Sequence, residues 1–147
     1  MIAIGSDHAG FPLKQEIRAW LDEQGVAYKD FGCFDLQSCD YAFAAKAVGE
    51  AVASGAYEKG LLFCGTGVGI SMAANKVRGV RAACCSDYFS AKYTRLHNDA
   101  NVLCMGARVV GAGLAIELVD VFLHTAFEGG RHARRVQQIH GIEDGTL

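Results

Sequence analysis

Short apolar runs alternate along the chain with longer segments whose apolar residues recur every three or four positions, and this alternation predicts strands and helices in turn. Met1–Gly5 reads as a strand. Pro12 suits the first turn of a helix, and Leu13, Ile17, Trp20 and Leu21 repeat at helical spacing until Gly25 closes it. Val26–Phe31 is a second strand. Ala42–Ser54 carries Phe43, Ala47, Val48, Ala51 and Val52 on one face of a second helix, ended by Gly55. Gly60–Cys64 is a continuous apolar run, the mark of a strand covered on both faces. The remaining elements are a helix over Ile70–Lys76, a strand over Val80–Cys85, a helix over Tyr88–Leu96, a strand over Asn101–Met105, a helix over Leu114–Phe127 and a C-terminal helix over Arg131–His140.

Five strand–helix units with short connections predict an α/β protein: a three-layer α/β/α sandwich around a Rossmann-like, five-stranded parallel sheet. No repeat, linker or low-complexity segment interrupts the pattern, so residues 1–147 are expected to form a single domain. In such sheets ligands bind beyond the carboxyl ends of the strands. The informative residues should therefore follow strand ends: Gly5–His8, Cys64–Gly69, Ser86–Asp87 and Gly106–Arg108.

Composition narrows the classes. The chain is 51% hydrophobic and 20% charged, enough apolar content for a core and too much for disorder. A formal net charge of −2 leaves no basic excess for a nucleic-acid backbone. The longest charge-free apolar stretch, Leu61–Asn75, is shorter than the roughly 18 residues of a membrane span and is broken by polar residues and glycines. The opening MIAIGSDH has neither a basic leader nor a long apolar segment, so a signal peptide is not expected. Six cysteines occur without a C-x-x-C, and Cys84 and Cys85 are adjacent, which suits neither zinc nor a dithiol centre. They are expected to be reduced thiols in a cytoplasmic protein.

Four segments could carry chemistry. Gly5-Ser6-Asp7-His8-Ala9-Gly10 is neither a dinucleotide fingerprint nor a P-loop; it sets a carboxylate beside an imidazole, unless Asp7 only caps the helix. Cys64-Gly65-Thr66-Gly67-Val68-Gly69-Ile70-Ser71 puts glycines where a backbone can approach a ligand, just before a helix N-terminus that favours phosphate or a developing oxyanion. A cysteine at the head of such a loop feels the same field, which favours thiolate; the plain alternative is a tight turn with a buried thiol. Arg95–Asn101 crowds polar groups around His97 and Asn98, and on its own reads as a solvated helix end. Finally, Arg131 and Arg135 share a helix face flanked by His132, an arrangement suited to a phosphate dianion, to which Arg108 can add a third fork. A solvated basic helix end is the usual explanation of such a run.

Together, GSDHAGFPLK, Asp40-Tyr41, CGTGVGISMAANKVRGVRAA, HNDANVL, GARVVG and EGGRHARRV, in this order, resemble the ribose-5-phosphate isomerase B family, which includes allose-6-phosphate and galactose-6-phosphate isomerases. The resemblance implies a metal-free aldose–ketose isomerase, without cofactor, whose active site lies at the interface of a homodimer or homotetramer. It implies Cys64 as the base between C1 and C2, and Thr66 assisting at the substrate oxygens. Backbone groups around Gly65, Gly67, Gly69 and Ser71, with Asn98, would hold the enediolate. Asp7 and His97 would open the sugar ring, and Tyr41 would line the sugar site. His8, Arg108, Arg131, His132 and Arg135 would hold the phosphate.

Two departures stand out. The family often has proline after the Asp-Tyr pair, where this chain has Ala42, and Arg134 is an additional basic residue. The expected reaction is interconversion of D-ribose 5-phosphate and D-ribulose 5-phosphate. The alternatives are an isomerase of a six-carbon sugar phosphate, a non-catalytic phosphosugar-binding module, and, from architecture alone, a flavodoxin-like FMN carrier.

Overall fold

A computed structural model describes residues 1–147. Its elements are β1 (Ile2–Ser6), α1 (Phe11–Glu23), β2 (Tyr28–Asp30), α2 (Tyr41–Ala53), β3 (Lys59–Cys64), α3 (Val68–Ala74), β4 (Ala82–Cys84), α4 (Tyr88–Asn98), β5 (Val102–Gly106), α5 (Ala112–His124) and α6 (Arg131–Asp144). All strand pairs are parallel, in the order β2-β1-β3-β5-β4. The chain leaves β1 toward β2, then returns across β1 to β3. That reversal opens a crevice beyond the carboxyl ends of β1 and β3, where α/β sheets place their ligands.

The two faces of the sheet are built by strict alternation along the central strands. Ile2, Ile4, Leu61, Phe63, Leu103 and Met105 join one core with residues of α1, α4 and α5. Ala3, Leu62, Cys64, Val102 and Cys104 join the other with residues of α2 and α3. α1 buries Leu13, Ile17 and Leu21, spaced four apart, as an amphipathic helix must. α6 lies against α4 rather than on a sheet face, and it buries His132 and Val136. No helix is long and apolar enough to cross a membrane.

Several boundaries differ from the sequence pattern. The edge strands β2 and β4 are three residues each, because Val26 and Val80 donate their N–H groups to turns, at Leu21 and Val77, instead of to a ladder. α3 begins two residues earlier, at Val68. α4 continues through Asn98, where Asp99 closes it in the left-handed region (φ 47°). α5 stops at His124, because Thr125 is extended and the chain then crosses to α4, where the Glu128 N–H donates to the Leu96 carbonyl at 3.1 Å. α6 runs on to Asp144.

The expectation of six reduced thiols is corrected. Cys33 and Cys39 form a disulfide, while Cys64, Cys84, Cys85 and Cys104 are free. The intervening loop folds back on the end of β1, so that both of its arms are held there. The Cys33 N–H donates to the Ser6 carbonyl at 2.6 Å, and the Cys39 backbone meets the His8 ring.

Candidate active site

The carboxyl edge of the sheet gathers the first group of expected residues. The Asp7 N–H donates to the Phe63 carbonyl at 3.1 Å, which places the β1–α1 turn directly beside Cys64. Gly10 permits this approach, since a Cβ there would stand 2.2 Å from the Phe63 carbonyl oxygen. Asp7 is buried, and its Oδ1 accepts the Gly10 N–H at 2.8 Å. That bond closes the turn before α1, whose own N-cap is Gly10 without a side-chain cap, so Asp7 does not cap the helix; its second oxygen is not engaged by that bond. His8 Nδ1 stands 3.2 Å from both the carbonyl oxygen and the nitrogen of Cys39.

Cys64 ends β3 and is 3% exposed. Its sulfur accepts the Gly67 N–H at 3.1 Å. Gly67 makes that turn possible with φ +81°, while a Cβ there would lie 2.8 to 2.9 Å from the Met105 carbonyl carbon, the Gly106 nitrogen and the Cys84 sulfur. The exposed Thr66 turns its hydroxyl to accept the Val68 N–H at 3.2 Å. Ser71 is buried. Its N–H goes to the Gly67 carbonyl, and its hydroxyl donates to the Val68 carbonyl at 2.7 Å. Ser71 therefore braces the loop from behind, and its N–H is not free for a ligand. The N–H groups of Gly69 and Ile70, in the first turn of α3, have no intrahelical acceptor.

Tyr41 and Arg108 close over this loop from two sides. A Cβ at Gly69 would stand 2.7 Å from Tyr41 Cζ, and one at Gly65 would stand 3.1 Å from Arg108 Nη1. The Arg108 and Ala107 N–H groups donate to the Gly65 and Cys64 carbonyls at 3.0 and 2.9 Å. Asp7, His8, Tyr41, Cys64, Gly65, Thr66, Gly67, Gly69 and Arg108 thus surround one end of the sheet.

The remaining expected residues lie at the other end. α4 starts after the carboxyl end of β4 and runs back, so that His97 and Asn98 fall beside the amino end of β5. α5 runs the same way and delivers α6 there too. β5 alone spans about 13 Å between these edges. His97 stacks on His132 with ring centroids 4.0 Å apart and planes 10° apart, and it meets Tyr93 edge-on at 4.9 Å. Arg131 and Arg135 are exposed on the first turns of α6. Desolvation lowers the His132 pKa from its usual 6.5, and His97 and Arg131 add to the depression while Glu128 opposes it. The clefts lined by α6 with β4, by α2 with Lys76–Arg78, by the loop after β2 and by Phe89, Tyr93 and His97 do not contain Cys64, and the two groups do not converge within one chain.

The polar run before β5 is a cap rather than a solvated end. Arg95 is buried and donates to Asp99 Oδ1 at 2.8 Å, to the Ala100 carbonyl at 2.6 Å and to the Thr125 carbonyl at 3.1 Å. Arg81 Nη2 donates to the Asp99 carbonyl at 2.7 Å, and its Nε donates to the Asn98 carbonyl at 3.2 Å. This network fixes where His97 and Asn98 stand.

Lys14 is the residue sequence reasoning missed at the carboxyl edge. It is fully buried, donates to Asp30 Oδ1 at 2.8 Å and to the Cys33 carbonyl, and so anchors the loop that reaches His8. Burial lowers its pKa, against the raising effect of Asp30. Only its i, i+3 and i−1 place beside Ile17 and Leu13, on the apolar face of α1, signalled burial.

A five-stranded parallel sheet covered by helices on both faces, with a glycine loop following the thiol that ends β3, defines the Rossmann-like α/β class. Residues 2–139 match the Ribose/Galactose Isomerase family model, and the chain belongs to that family. Ribose-5-phosphate isomerase B of Escherichia coli is 52% identical over 142 residues, covering 97% of this chain and 95% of that protein. A putative sugar phosphate isomerase of Bacillus subtilis is 48% identical over 147 residues, 99% of each chain. The solved ribose-5-phosphate isomerase B of Clostridium thermocellum superposes with a TM-score of 0.96 at 49% identity, again over 99% of each chain.

Proposed function

We propose that this protein is an aldose–ketose isomerase interconverting D-ribose 5-phosphate and D-ribulose 5-phosphate, with Cys64 as the base. The observation that carries the reading is the buried Cys64 sulfur, held by the Gly67 N–H at the head of a loop in which the Gly69 and Ile70 N–H groups have no intrahelical acceptor. Family membership and the names of its relatives agree with it.

The chemistry asks for what this arrangement offers. A cyclic sugar phosphate must open before it isomerises, which needs an acid at the ring oxygen and a base at the anomeric hydroxyl; His97 and Asp7 take these parts. A C–H beside a carbonyl must then lose its proton to a close, desolvated base, the role of Cys64. The charge appearing on the enediolate oxygen is met by the N–H donors of the loop and by Asn98, and one such donor is commonly worth about 3 kcal/mol. Thr66 assists proton movement between the two oxygens. Phosphate binding at a distance, by His8, Arg108, Arg131, His132 and Arg135, holds the reacting carbons over the thiol and turns binding energy into rate.

Because His97, Asn98, Arg131, His132 and Arg135 stand at the opposite edge from Cys64, we infer that a second copy of the chain supplies them, in a homodimer or a higher homo-oligomer. Val68, Met72, Tyr88 and Phe89 are exposed on α3 and α4 beside the uncovered β4 edge, an apolar surface suited to such an association. The test of the reaction is turnover on five- and six-carbon aldose phosphates. Preference for ribose 5-phosphate supports the proposal, and preference for allose or galactose 6-phosphate replaces it with the six-carbon reading.

A further inference from the structure

Glu128 has no part in the reaction described above, yet its carboxylate completes a cluster with the two stacked histidines. One ligand atom from each of His97, Glu128 and His132 lies within 4.8 Å of the other two. His132 Nε2 and Glu128 Oε2 are 3.4 Å apart. Around a tetrahedral zinc-like ion with bonds of about 2.0–2.1 Å, neighbouring ligand atoms stand about 3.3–3.4 Å from each other. One edge of that tetrahedron is therefore already formed.

The other edges are within reach of side-chain rotation. The two imidazole planes are nearly parallel, so their lone pairs run side by side and must be turned inward. The imidazole χ2 torsion is broad, His97 is only half-buried and Glu128 is exposed. The backbones of the three donors, in contrast, are held in place. His97 sits in the α4 terminus closed by Arg95 and Asp99, Glu128 is pinned through its N–H to Leu96, and His132 is in the first turn of α6.

Two imidazoles and one carboxylate suit a borderline divalent transition ion and leave a fourth position open. The exposed Arg131 and Arg135 nearby oppose a cation, and the single charge of Glu128 offsets only part of this. The arrangement therefore fits a weak, reversible site rather than a structural one.

We propose that His97, Glu128 and His132 form a binding site for a zinc-class divalent ion, and that its occupation inhibits the enzyme. The inhibitory consequence rests on the roles given to the two histidines under the proposed function; the binding site does not. When occupied, the ion holds the imidazole nitrogens that would otherwise meet the sugar ring and its phosphate.

The experiment titrates chelator-treated, full-length protein with Co2+ and follows its visible absorption, then measures inhibition of turnover by Zn2+. The expected result is one Co2+ per chain without a thiolate charge-transfer band, with affinity reduced at least tenfold in Glu128→Gln and in His132→Asn. Half-inhibition by Zn2+, read against each variant's own metal-free rate, should rise at least tenfold in Glu128→Gln and be reversed by EDTA. Unchanged Co2+ affinity in Glu128→Gln, absence of binding with Co2+ in large excess over protein, or a thiolate band placing the ion on Cys64 or Cys84 overturns the site. Triad-dependent Co2+ binding that leaves turnover untouched overturns the inhibitory claim and contradicts the roles of His97 and His132, while the ion site stands.

Discussion

The N–H of Gly67 donates to the sulfur of Cys64 at 3.1 Å, across a turn that only the left-handed backbone of Gly67 closes. A thiolate gains from such a bond more than a thiol does, because a charged acceptor forms the stronger hydrogen bond. The same turn leads directly into the first turn of α3, where the Gly69 and Ile70 N–H groups have no intrahelical acceptor.

Gly67→Ala should therefore damage both fold and activity. The left-handed conformation costs a non-glycine residue about 1–2 kcal/mol, and the added carbon meets backbone at 2.8 and 2.9 Å. For a chain of this size each kcal/mol lowers Tm by roughly 2–4 °C. Thermal melting should show a drop of several degrees, and kcat should fall at least tenfold in the surviving protein.

His132 makes a prediction about pH. Its folded pKa lies below the usual 6.5, chiefly through desolvation, so between the two values the unfolded chain binds more protons than the folded one. The associated stability is complete above pH 6.5 and is lost as the pH falls through the folded value. Tm measured from pH 7.5 down to 5 (a range chosen to bracket 6.5) should decline less steeply in His132→Asn than in the parent protein.

The separation of Cys64 from His97 predicts complementation between copies. Cys64→Ala and His97→Asn homodimers should each be impaired. Random pairing of the two variants creates mixed dimers in which one site has both residues intact, restoring about one quarter of the parental activity in a 1:1 mixture. A site confined to one chain restores none.

Most of the fold was legible, because the central strands β1, β3 and β5 are apolar on both faces and the helices carry residues such as Leu13, Ile17 and Leu21 at unmistakable spacing. The ends were less so. Val26 and Val80 are apolar yet belong to turns, since apolar character reports burial and not ladder pairing. Thr125 ends α5 because the segment after it must reach α4, a tertiary demand that leaves no local signal.

The site divided in the same way. Motifs placed Cys64, Thr66 and Asp7 after strand ends, and strand ends share one edge of a parallel sheet, so their convergence followed from topology. Ser71 was expected among the amide donors, but helix geometry commits its N–H to Gly67. The Cys33–Cys39 pairing and the burial of Lys14 depend on how the loop after β2 folds back, which spacing does not encode. Arg95 looked solvated because two of its partners, at Ala100 and Thr125, are backbone carbonyls invisible in a residue pattern, and Asp99 because its second partner, Arg81, comes from a distant part of the chain.

The claim on which the rest depends is that the Cys64 sulfur moves the proton between two neighbouring carbons. Its most direct test is exchange of the C2 hydrogen of ribose 5-phosphate with solvent deuterium, compared between the parent protein and Cys64→Ala at saturating substrate. Exchange and isomerisation should fall together in Cys64→Ala by at least a thousandfold, the effect usual for loss of a reacting group, while the sugar phosphate still binds. Exchange at the parental rate in Cys64→Ala would contradict this role for the sulfur.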